Sequence, residues 1–200
     1  MNMSTISVPR TFLSPAGLAY RRSLAAKGAL CLCASLFVAL CAHISVPLPF
    51  TPVPTTLQTF AVVLVGITLG PSAGFAALIL YLAEGASGLP VFSPHGPGGV
   101  AQLLGPTAGY LLSYPLAAAL AGASVKLLRR RIPAFPAALA SGSIALVPVF
   151  FLGAVWLAHL MHLTGPQTLH LAVTPFLGAE VLKLLAAAAA YQALCVVREP

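Results

Sequence analysis

TPFLGAEVLKLLAAAAAYQALCVV, residues Thr174–Val197, is long and apolar enough to cross a bilayer, yet it carries Glu180 and Lys183. A charged side chain in the middle of a membrane helix costs about 3 kcal/mol unless it finds a partner, a cavity or a ligand. Glu180 and Lys183 stand three positions apart and so share one helix face. They can therefore be an ion pair that ties helices together, or the polar floor of a binding site. Either way the segment is a membrane helix.

The rest of the chain agrees. Its 200 residues are 59% apolar and 6% charged, with a mean hydropathy of +0.98, so there is too little polar surface to coat a water-soluble globule. Long unbroken apolar runs, with no alternating pattern, predict an all-α integral membrane protein rather than a barrel. A chain of this size forms one small bundle and leaves no room for a soluble catalytic domain.

Helices are expected over about residues 24–44, 56–69, 72–84, 107–128, 135–159 and 174–197. Residues 1–22 read as a disordered cytoplasmic tail, and residues 23–200 as one six-helix membrane domain. Basic Arg21-Arg22 before an apolar run also fits a signal peptide. The next run along the chain is apolar too, so the chain is a membrane protein on both readings. Pro47, Pro49, Pro52 and Pro54 exclude helix from the first connection. Gly70-Pro71 predicts a tight turn between two short helices, which Gly66, Ala73, Gly74, Ala76 and Ala77 allow to pack closely. The stretch from Gly85 to Pro106, rich in Gly and Pro but interleaved with Leu89, Val91, Phe92, Val100, Leu103 and Leu104, reads as a long folded loop between helices three and four.

Net charge is +7, from 10 Lys and Arg against 3 Asp and Glu. The bases cluster at Arg10, Arg21, Arg22 and Lys27, at Lys126 with Arg129, Arg130 and Arg131, and at Arg198. Six spans put all three clusters on the cytoplasmic side, with both termini inside a cell membrane. The long loop then faces outward, on the same side as Glu84, Glu180 and Lys183. No soluble domain or aromatic platform accompanies the bases, so nucleic-acid binding is not expected.

The chemistry open to these residues is capture, not catalysis. Glu180 can accept from ligand N–H groups and Lys183 can donate to a carboxylate or carbonyl, each in a charge-assisted bond. A ligand with an amide-like ring and a carboxylate would suit a mostly apolar site of this kind. The chain has no GxxxxGK[ST] loop, so energised uptake requires a separate motor. Ser113, Ser141 and Ser143 lack a base at helical spacing, which argues against a hydrolase. Cys31, Cys33, Cys41 and Cys195 fit no metal-site spacing and read as small packing residues.

Four runs, Thr51–Gly70 (TPVPTTLQTFAVVLVGITLG), Leu80–Phe92 (LYLAEGASGLPVF), Gly98–Pro115 (GGVAQLLGPTAGYLLSYP) and Pro175–Lys183 (PFLGAEVLK), resemble in that order the BioY family, the biotin-binding S component of energy-coupling factor transporters. The resemblance covers about residues 24–197. It implies a six-helix bundle that takes biotin from outside, with a transmembrane T component and ABC-type ATPases as partners and no cofactor of its own. It also implies a contact set of Glu180 and Lys183 with Gln58, Glu84, Gly98, Gly99, Gln102 and Tyr110. The family commonly has Asp where Glu180 stands, and often an amide in the loop after helix three; Ser93-Pro94-His95 offers none and Gln102 is the substitute. Ala25 and Ala29 supply the small-residue spacing by which S components dock their T partner. Two rival functions remain: an S component for another vitamin, or a haem- or quinone-binding membrane anchor using His43, His159 and His162 as ligands.

Overall fold

A computed structural model describes residues 15–198. Four of its helices are long and apolar enough to cross a membrane, and two shorter apolar helices stand among them. The chain runs α1 (Pro15–His43), β1 (Ser45–Val46), β2 (Thr55–Thr56), α2 (Gln58–Leu69), α3 (Pro71–Ala86), α4 (Gly99–Gln102), α5 (Ala108–Leu128), α6 (Ala134–Met161), α7 (Gly165–Ala172) and α8 (Leu177–Arg198). The four long ones are α1, α5, α6 and α8.

Helix α1 begins at Pro15, so its first turns occupy residues that composition alone assigns to a tail. The remainder of that tail, residues 1–14, lies outside the described residues. Proline suits this position because the first turn of a helix needs no N–H partner. At the other end, prolines prevent α1 from continuing, and the flanking residues pair instead. Ser45 lies opposite Thr56 and Val46 opposite Thr55 in an antiparallel ladder, which Leu57 N–H extends to Ile44 O at 3.0 Å. Where proline forbids helix, the backbone groups pair with each other, adding a two-residue ladder to an otherwise all-helical chain.

Helix α2 has 12 residues and α3 has 16. Gly70, at φ 82° and ψ 176°, turns the chain between them, and Pro71 starts α3. The pair packs against α5 with almost nothing between the backbones. A Cβ on Gly122 would stand 2.6 Å from Gly70 C and Pro71 N, and one on Gly74 would stand 3.2 Å from Gly66 Cα. Close approach of small residues is how helices gain contact where hydrophobic exclusion contributes little.

Helix α5 is the centre of the bundle, touching α2, α3 and α6, while α8 packs on α6 and α2 and α1 lies against α3 and α2. The core contains Val38, Val62, Val63, Leu78, Tyr81 and Leu157. Leu40, Leu112, Val147, Phe151, Leu182 and Val197 point outward with half or more of their surface uncovered. An apolar exterior around a packed interior is what a lipid environment requires.

Two connections are more ordered than their composition suggests. In the Gly85–Pro106 stretch, α3 continues to Ala86 and α4 forms one turn. Between them Val91, Phe92 and Ser93 are buried. The Phe92 ring meets the Tyr81 ring edge-on at 5.4 Å and occupies the space that a side chain on Gly85 would need. The connection after α6, expected as loop, contains α7. Thr164 N–H donates to Gln167 Oε1 at 3.0 Å, the capping box that starts it.

Candidate functional site

Helix α8 opens with Phe176 O accepting from Glu180 N–H at 2.9 Å, which places Glu180 and then Lys183 on the face turned to α2. Both are buried, at 5% and 9% exposure. Lys183 Nζ lies 2.6 Å from Glu180 Oε1 and donates to Thr59 Oγ1 at 3.2 Å. Thr59 in turn donates to Glu180 Oε1 at 2.9 Å. Thr59 thus bridges α2 to the charges on α8. Glu180 also sits in the first turn of its helix, where the dipole favours an acid. Both side-chain bonds that Glu180 accepts fall on Oε1; Glu180 Oε2 is buried and has no hydrogen-bond partner among the described residues.

These groups line a cavity that is partly open to the surroundings. Apolar walls come from Val53, Leu111, Val149, Phe150, Phe176 and the rings of Tyr110 and Tyr114, with Gln58, Ser93, Gln102 and Thr107 as further polar groups. Few polar atoms on an apolar wall is the pattern of a small-molecule site. Much of the lining is held by hydrogen bonds among its own polar groups and their neighbours. Gln58 Nε2 donates to Tyr81 Oη at 2.6 Å, and Gln58 Oε1 accepts from Thr56 Oγ1 at 2.9 Å. Gln102 accepts from Gly98 N–H at 3.2 Å and donates to Thr107 Oγ1 at 3.1 Å. Tyr110 donates to Ala172 O at 2.7 Å, with its ring against Gly153 and 6.4 Å from that of Phe176.

Of the residues singled out from sequence, Gln58, Gln102, Tyr110, Glu180 and Lys183 come together around this cavity. Gly98 and Gly99 do not line it. At φ 71° and 58° they make the turn into α4, and Gly98 holds Gln102 in place. Glu84 faces away from the cavity toward α1, where the Ser35 hydroxyl donates to its carboxylate. Ala25 and Ala29 are exposed on the first half of α1. His159 and His162 are exposed near the end of α6, and His43 is an exposed residue whose Nδ1 lies 2.8 Å from Ala39 O of its own helix. None of these three histidines lines the cavity.

Sequence reasoning did not pick out Thr59, Ser93, Tyr114 or Phe176. Thr59 follows Gln58 directly and Phe176 opens the α8 motif, but their neighbours come from distant parts of the chain. Tyr114 lies one helical turn after Tyr110, and that spacing was the available signal.

The BioY family model matches residues 14–199. A protein from Thermotoga maritima named biotin transporter BioY is 38% identical over 158 residues, 78% of this chain and 89% of that one. One from Pyrococcus horikoshii named probable biotin transporter BioY is 36% identical over 152 residues, covering 74% and 85%. The fold is similar to a crystal structure at 2.1 Å of the S-component for biotin from an ECF-type ABC transporter. The TM-score is 0.78 at 24% identity, over 86% of this chain and 92% of the other. Matched along nearly its whole described length, this chain belongs to the BioY family.

Proposed function

We propose that this protein is the biotin-binding membrane subunit of a vitamin uptake system, capturing biotin from the outside and releasing it to the cytoplasm. The observation that carries the reading is the Glu180–Lys183–Thr59 cluster on the cavity wall, with one carboxylate oxygen committed to Lys183 and the other unpartnered. Biotin's ureido ring brings two N–H donors and a carbonyl. Glu180 Oε2 accepts from an N–H and Lys183 Nζ donates to the carbonyl, both charge-assisted. The bicyclic thioether meets Phe176, Tyr110 and Tyr114, and the valerate chain lies along the apolar wall.

Relatives named biotin transporters support this reading of the site. The chain is a transport subunit, not an enzyme. Six helices, α1, α2, α3, α5, α6 and α8, serve as spans, both termini are cytoplasmic, and the connection between α3 and α5 faces outward. Lys126 in the last turn of α5 and Arg129, Arg130 and Arg131 just after it support that orientation. A T component docks near Ala25 and Ala29 on α1, and ATPases bound to it supply the energy.

The test is binding of labelled biotin to the purified protein, with other vitamins as competitors. Saturable binding displaced by unlabelled biotin alone is expected. Displacement by another vitamin at lower concentration would transfer the subunit to that substrate.

A further inference from the structure

Three buried side-chain polar atoms have no hydrogen-bond partner among the described residues: Ser45 Oγ, Ser93 Oγ and Glu180 Oε2. Ser45 lies in the β1–β2 ribbon and does not itself line the cavity, whereas Ser93 and Glu180 both do. Burying an oxygen without a partner is unfavourable, so two such atoms on one cavity wall mark positions where a ligand completes the bonding. They are of one kind as well: a carboxylate oxygen accepts only, and a hydroxyl can accept. Biotin's ureido group has two N–H donors and needs two acceptors.

We infer that Ser93 is a ligand contact that accepts the second ureido N–H, and that Tyr81 is the residue that positions it. This rests on the reading of biotin as substrate. Tyr81 is fully buried on α3. It accepts from Gln58 of α2 at 2.6 Å and donates to Val91 O at 3.0 Å, while Phe92 packs edge-on against its ring. Val91 and Phe92 are the two residues immediately before Ser93. One phenol therefore pins the backbone that carries Ser93 to the start of α2, where Thr59 holds Glu180. The two acceptors stay in register because both are referred to the same turn of α2.

Affinity and thermal stability of three variants separate this from a structural role. In Ser93→Ala, biotin binding is expected to weaken roughly fivefold, the value of one neutral hydrogen bond. The ligand-free protein should melt no lower than the parent, since an unpartnered polar atom has been removed. Tyr81→Phe, which keeps the ring and loses both bonds, should weaken binding by a similar or larger factor, mostly through faster dissociation. Ser93→Ala combined with Tyr81→Phe should bind no worse than Tyr81→Phe alone, because the two act through one contact. Biotin methylated on each ureido nitrogen in turn supplies the ligand side of the cycle. For one regioisomer the Ser93→Ala penalty should vanish, and for the other it should persist. Parent-like biotin affinity in Ser93→Ala, or an equal penalty with both methylated ligands, would overturn the assignment to Ser93. Additive losses in the double variant would overturn the role of Tyr81. Failure of the parent to bind biotin at all would instead refute the substrate.

Discussion

Lys183 stabilises the buried carboxylate of Glu180 and is itself available to a ligand. Lys183→Ala is therefore expected to weaken biotin binding by about 2 to 5 kcal/mol, the cost of stranding one member of a desolvated charge pair. Titration calorimetry on the folded variant checks this; unchanged affinity would make the pair purely structural. At Glu180 the charge matters more than the length. Glu180→Asp keeps two acceptor oxygens and a negative charge and should bind biotin within about tenfold of the parent, whereas Glu180→Gln leaves Lys183 uncompensated and should lose about 2 to 5 kcal/mol. Equal affinity in the Gln variant would show that the negative charge is not used.

Among the elements, the four long apolar helices and the short pair α2 and α3 were legible from sequence because composition and proline placement set them: Gly70-Pro71 ends one helix and begins the next. Helix α7 was missed although Thr164 and Gln167 stand at capping-box spacing, because the run between them and Thr174 is short. The β1–β2 pairing was not legible, since a two-residue ladder exists only when the chain returns on itself. At the site, Glu180 and Lys183 stood out because charge is conspicuous in an apolar run. Thr59 and Ser93 did not, because their neighbours are far away in sequence. The buried Val91–Ser93 segment leads to an element-scale prediction. A cysteine at exposed Pro94 or His95 should react more slowly with a thiol reagent once biotin is bound, as the segment tightens over the ligand. Equal rates with and without saturating biotin would make the segment a fixed cap. At the α2–α5 contact, Gly122→Ala should destabilise the protein by about 1 to 3 kcal/mol, read as a lowered melting temperature, because the new methyl meets backbone atoms rather than a side chain that could move.

For the whole molecule, orientation can be tested on intact cells. With Cys31, Cys33, Cys41 and Cys195 replaced, an impermeant thiol reagent should label a cysteine at His95 and spare one at Arg130. The reverse pattern would invert the topology and leave the cavity facing the cytoplasm. A separate consequence comes from the brevity of α3. Its 16 residues rise about 24 Å, against about 30 Å of hydrocarbon in an ordinary bilayer, and Phe75 and Ile79 on its outer face are exposed. On the proposed six-span topology, the bundle is short on the α3 flank, and lipids there compress by several ångströms. Each ångström of that compression costs a fraction of a kcal/mol, so on this topology stability depends on membrane thickness. Reconstituted in bilayers of progressively longer acyl chains, it should show a falling melting temperature, while a protein belted evenly by long helices would not.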